Sequence, residues 1–165
     1  MITTANTDYM LKYSLLTVDM TPKKLKKASI KYLLHILNPD ISSIEIFGNH
    51  YTVSKITLDG VMVMFSQGLN TIKAQMPLNY QIDEVSIIEI HYTTMIGEQW
   101  ELCAGNSIPS LKDYYDFPVH EVKLIAHREG DYKLQDVQML DITPIPQKFI
   151  YHYARSNQGQ NIILG

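Results

Sequence analysis

The chain has 165 residues, with 14 basic and 17 acidic side chains and one cysteine, Cys103. A domain of that length removes roughly 70% of its unfolded surface from water and folds without a metal or disulfide; a single cysteine excludes an intramolecular disulfide and reads as a small buried hydrophobe. The charge of −3 is uneven, with +4 on residues 1–31, from Lys12, Lys23, Lys24, Lys26, Lys27 and Lys31 against Asp8 and Asp19, and −7 on the remainder. A mildly acidic body argues against a general nucleic-acid binder.

No basic, apolar leader is visible in residues 1–8, and the longest purely apolar run, Val61 to Phe65, is far short of the ~20 residues of a membrane helix. The expectation is a single domain, cytoplasmic or held within an assembled particle and not secreted by a signal peptide. It has a polar arm at 1–8, a β-rich body at 9–153 and a polar arm at 154–165.

Tyr13 to Asp19 reads as a strand, rich in β-branched and aromatic residues. Thr21-Pro22 then has the form of a helix start, and Leu25, Ala28, Tyr32, Leu33, Ile36 and Leu37 recur at helical spacing up to Asn38-Pro39. The sequence therefore predicts one N-terminal amphipathic helix.

From there the punctuation is that of hairpins. Gly48-Asn49 separates IEIF from HYTVSKITL, and Asp59-Gly60 separates that run from VMVMF. Asp-Gly suits the tight turn whose two central residues both need positive φ. TIKAQM, VSIIEIHYTTM and QWELCA follow as strands. Gly105 to Phe117 reads as a longer loop with a helical turn near Ser110 to Tyr115. Val119 to His127, Tyr132 to Ile142 and Phe149 to Tyr153 complete the set, with Thr143 to Pro146 stiff and extended. The fold class expected is mostly β, an antiparallel barrel or sandwich of about eight short strands with that one helix.

Two tripeptides carry the sharpest chemical pattern, His50-Tyr51-Thr52 and His91-Tyr92-Thr93. On a strand, residues two apart share a face, so each would set an imidazole beside a hydroxyl. Two such pairs around one cleft could supply a general base, a general acid and two hydroxyls for a phosphodiester. The pair resembles the two-His phosphoesterase families, whose signature is two His-x-Thr/Ser motifs, and the resemblance implies His50, Thr52, His91 and Thr93 as catalytic residues. It covers only these tripeptides, which lie closer together than the family's motifs do. The better-spaced His120 is followed by Glu121 and Val122 and lacks the hydroxyl. His-x-Thr also arises readily by composition, and His and Thr are ordinary on half-exposed strands.

No metal site is expected. His120 and His127 are seven apart and would face opposite sides of a strand, there is no His-Glu-x-x-His, and no cysteine pair exists. No cofactor motif is present either. Two segments read as contact surfaces. One is the loop DYYDFPVHE, with Asp113, Tyr114, Tyr115, Asp116 and Phe117. The other is the lysine face Lys23, Lys24, Lys27 and Lys31, which is read first as a solvated face.

The function expected is a non-enzymatic protein–protein interaction or assembly module, with a bacteriophage virion component as the specific expectation. Its partner is a protein, in a homo- or hetero-oligomer, without membrane and with nucleic acid disfavoured. The C-terminal NIILG is expected to add a strand to a neighbour's sheet. The alternative is a phosphodiesterase-like enzyme built on the paired His-x-Thr motifs.

Overall fold

The structure, a computed structural model, describes residues 8–21, 25–48, 51–68, 71–77, 84–95, 100–102, 108–114, 117, 119–127, 137–155 and 162–164. These form β1 (Tyr9–Asp19), β2 (Leu25–Ile36), β3 (Ser43–Phe47), β4 (Tyr51–Leu58), β5 (Val61–Val63), β6 (Phe65–Gln67) and β7 (Thr71–Gln75). They continue with β8 (Val85–Met95), β9 (Trp100–Leu102), β10 (Ser110–Leu111), β11 (Glu121–Ala126), β12 (Val137–Ile145), β13 (Lys148–Arg155) and β14 (Ile162–Leu164).

Two open sheets share one core. An eight-stranded sheet has the order β12-β13-β11-β1-β2-β8-β4-β5, and a four-stranded sheet the order β10-β3-β7-β6. The mostly β, sandwich-like expectation holds at that level; neither sheet closes into a barrel.

The helix expected after Thr21-Pro22 is not there: Leu25–Ile36 is β2, paired with β1 on one side and along eleven residues of β8 on the other. The same residues support both periods. Lys26, Ala28, Ile30, Tyr32, Leu34 and Ile36 alternate inward, and their neighbours face out. The pairing of both edges of β2 with long strands outweighs the weak local preference. Thr21 does not cap a helix: its hydroxyl and N–H both donate to Asp19 Oδ1, at 2.6 and 3.0 Å.

Asp59 and Gly60 take φ of 50° and 84° between β4 and β5, the conformation their dipeptide predicts. Pro146 and Gln147 link β12 to β13, with Gln147 at φ 62°. The predicted extended run at 143–146 is in part β12 itself. Where a helical turn was expected, Ser110 and Leu111 form β10 on β3, followed by a turn with Asp113 at φ 70°. Ile162–Leu164 pairs with Trp100–Leu102 of its own chain.

The core fills the layer between the sheets. Ile30, Leu34, Ile56, Ile88 and Ile90 from the large sheet and Ile44, Ile46 and Ile72 from the small one are buried. Each such side chain contributes about 1.5–3 kcal/mol by leaving water.

Candidate functional site

The paired His-x-Thr segments fall on neighbouring strands. Thr52 of β4 lies directly opposite Thr93 of β8, on the outer face of the large sheet. Cross-strand partners of this kind have Cβ atoms roughly 5 Å apart. His91 is on the same face, two residues along, between Ser29 of β2 and Lys55 of β4. Three of the four proposed catalytic residues are thus brought together, and His50 lies outside the described residues. His91 Nε2 is in close contact with Glu89 Oε1, and Glu89 Oε2 is 3.3 Å from Lys31 Nζ. The outer face here is an open, gently mixed surface of Lys27, Ser29, Lys31, Glu89, His91 and Thr93.

Of the lysine face, Lys27 and Lys31 are exposed on β2, while Lys23 and Lys24 lie outside the described residues. Lys27 sits between Asp19 and Thr93 in register. Desolvation disfavours ionisation of Asp19, but the hydrogen bonds from Thr21 and the charges of Lys148 and Lys27 outweigh it, so its pKa lies below the ordinary value. Lys26, next along, turns inward; burial lowers its pKa against the opposing pull of Asp19, and its Nζ donates to Met20 O at 3.2 Å.

Tyr114 and Phe117 pack onto the body. Asp113 is exposed in its turn, and Tyr115 and Asp116 lie outside the described residues. Tyr114 stacks on Tyr9 at 6.0 Å and meets Phe117 edge-on at 5.9 Å. Phe117 packs on His120 at 5.3 Å, and His120 stacks on Tyr13 at 4.6 Å. The ring chain therefore runs from the core to the outer face and braces Tyr13. Burial first, then a hydrogen bond and charge from Glu121, push the Tyr13 phenol up to about 12. Ser14 is buried behind it, its Oγ 3.1 Å from His120 Nδ1. Glu121 also meets His152 Nε2 at 2.7 Å.

Tyr13 belongs to a feature that the sequence reading did not single out. Strand register sets Met10, His35 and Val85 in one outer-face row and Tyr13, Leu33 and Ile87 in the next. Met10, Tyr13, Val85 and Ile87 are 41%, 38%, 58% and 43% exposed, and Met62 of β5, 70% exposed, lies beyond on the same face. This is one contiguous apolar area across β1, β2 and β8. Its sequence signal is that these strands carry apolar residues at both parities: Val85 and Ile87 besides Ile88 and Ile90, and Met10 besides Tyr9 and Leu11; Tyr13 reaches the outer face through the register shift between Leu11 and Tyr13.

No protein-family model matches the chain, and no curated protein matches it. Its fold is similar to that of solved structures. The M1 zinc metallopeptidase of Deinococcus radiodurans aligns with TM-score 0.68 and 11% identity over 97% of this chain and 43% of that one. A variant of the same enzyme aligns with TM-score 0.70 at 11% identity, over 96% and 42%. Legionella pneumophila aminopeptidase A, solved with aspartic acid, aligns with TM-score 0.65 at 10% identity, over 98% and 21%. The chain spans less than half the length of these proteins, and at such identity the likeness is one of fold. The residues here do not fit the zinc that the metallopeptidases are named for: the chain has no His-Glu-x-x-His, and among the described residues no three His, Cys, Asp or Glu side chains are arranged to hold a metal ion.

Proposed function

We propose that this chain is a non-enzymatic interaction module that self-associates through the apolar end of its outer sheet face. The observation that carries this is the two-row patch of Met10, Tyr13, Leu33, Val85 and Ile87, with His35 between Met10 and Val85. A contiguous apolar area on a sheet face marks a contact surface, and Met and Tyr are enriched at the centres of such surfaces.

A second copy is the occupant this surface suits. The register partners of the two rows include no lysine, arginine or carboxylate, and the charges that border them, Lys12 at the bulge, Glu121 against Tyr13 and Asp59 against Ile87, are of both signs. The next row, Lys31 and Glu89, carries both signs. Two sheets also pack naturally face to face, with strands about 30° apart.

The edges are less suited to pairing. β5, β6 and β10 have two or three residues each. The nine-residue β12 carries a register shift between Met139 and Asp141 and a proline, Pro144, near its turn. Short edges, bulges and edge prolines all discourage strand addition. Association through a face also suits a component of an assembled particle, such as a bacteriophage virion; that setting is supported by composition and type of protein alone.

The test is the solution mass of the purified chain beside Ile87→Lys. The wild type forms a discrete oligomer; the variant is a monomer with an unchanged circular dichroism spectrum. A wild type that stays monomeric, or a variant that associates equally well, sinks the proposal.

One observation favours a second reading, a phosphodiesterase-like activity: Thr52, Thr93 and His91 share one face. Hydrolysis of a cyclic nucleotide by the wild type, lost in His91→Ala and in Thr93→Val, would support it; no turnover would remove it.

A further inference from the structure

We infer that self-association through the outer face is switched by pH, with His35 as the group that turns it off in acid. This rests on the contact surface proposed above and names what regulates it. His35 is half-buried on β2, and strand register sets it directly between Met10 of β1 and Val85 of β8. Leu33, two residues back on the same face, lies between Tyr13 and Ile87. The imidazole is therefore the one ionisable side chain in its row, at the middle of the area that a second copy would cover.

Histidine is the side chain whose ordinary range brings a change of charge between pH 5 and 8. A neutral imidazole is a flat ring that packs beside methionine and valine. A protonated one must give up its water to enter an apolar contact, and a two-fold contact asks this of two copies at once. The dimer therefore rejects the proton that the free chain accepts, so association releases protons and weakens as pH falls.

The charges that border His35 do not account for such a response. From β1 they are Asp8 and Lys12, on either side of Met10, and from the start of β8 there is Glu84. On β2 itself the next charge on this face is Lys31, four residues back. Asp8 Oδ1 accepts from Asn38 Nδ2 at 2.8 Å, and Glu84 is exposed. Carboxylates and lysines ordinarily titrate outside pH 5.5 to 8. Burial first, then Glu121, pushes the Tyr13 phenol up to about 12, so it stays neutral over that range. Two more histidines lie near the second row without standing in it. His120 stacks on Tyr13 at 4.6 Å, and His152 Nε2 is 2.7 Å from Glu121 Oε1.

The experiment is sedimentation of the full chain at pH 8 and pH 5.5, for the wild type, His35→Gln and His152→Gln, with a circular dichroism spectrum of each. The wild type is a dimer at pH 8, and its dissociation constant rises about a hundredfold at pH 5.5, the effect of two protons about one pH unit below the ordinary imidazole value. His35→Gln dimerises with equal affinity at both pH values, and His152→Gln follows the wild type. A wild type that dimerises equally well at both overturns the inference and leaves the contact surface standing. A wild type that is monomeric at both removes the contact surface and the switch with it. A response that survives in His35→Gln and disappears in His152→Gln overturns the role of His35. A wild-type spectrum that changes at pH 5.5 assigns the loss to unfolding and overturns the inference as well. If His35→Gln does not fold, His35→Leu is used and decides in the same way.

Discussion

Gly48 shows how one position can be fixed from two directions. Its φ of 141° is strained for a residue with a side chain, and an added Cβ would stand 2.6 Å from Tyr51 Cε1. Gly48→Ala is therefore expected to cost about 1–3 kcal/mol, read by urea unfolding. Gly60 also has positive φ, 84°, yet nothing lies within 4 Å of its added Cβ, so Gly60→Ala bears the backbone term alone and costs less. Equal losses at both sites would contradict the packing of Tyr51.

Asp19 gives a pH dependence with a definite sign. Its folded pKa is below the unfolded value, so its contribution is present above the unfolded pKa, near 4, and is lost as pH falls through the lower folded value. Asp19→Asn should flatten the stability profile in that acid range and change it little at higher pH. A variant whose profile between pH 2 and 5 matches the wild type would refute the Thr21 turn as the source. At this scale the sequence was readable where chemistry is local: Asp59-Gly60 takes the backbone its residue types demand. The role of Asp19 was not readable, because Thr21-Pro22 carries the same residues as a helix start.

Among elements, β2 is the instructive case. KKASIKYLLHI satisfies a helical stripe and a strand alternation together, and the choice is made by β1 and β8, remote in sequence. β8 itself was legible to the residue, since VSIIEIHYTTM is rich in β-branched residues and has no competing period. The two periods predict different mutational costs along β2. In the strand, Ile30→Ala and Leu34→Ala cost about 2–5 kcal/mol each. Lys31→Ala, on the exposed face between them, costs within about 0.5 kcal/mol. A helix with the apolar stripe set out above would instead make Leu33→Ala costlier than Leu34→Ala. Thermal unfolding of this short series separates the two.

For the whole molecule, the proposed contact surface was hidden from the sequence for a geometric reason. Met10, His35 and Val85 become neighbours only through the register of three strands. The loop with Tyr114 and Phe117 looked more site-like because its aromatics are adjacent in sequence. In the structure those two rings lead inward and support Tyr13, one of the exposed residues of the patch. The His91 and Thr93 pair was legible by its motif and does meet Thr52 across the sheet, but on an open face where Glu89 already holds the imidazole.

The most direct measurement is sedimentation of the wild type and of Ile87→Lys across a hundredfold range of concentration. The wild type should pass from monomer to a closed dimer, and the variant should remain a monomer with the same melting temperature. A wild type that is monomeric throughout, or an Ile87→Lys chain that dimerises with equal affinity, would show that the apolar face is not where this protein makes its contacts.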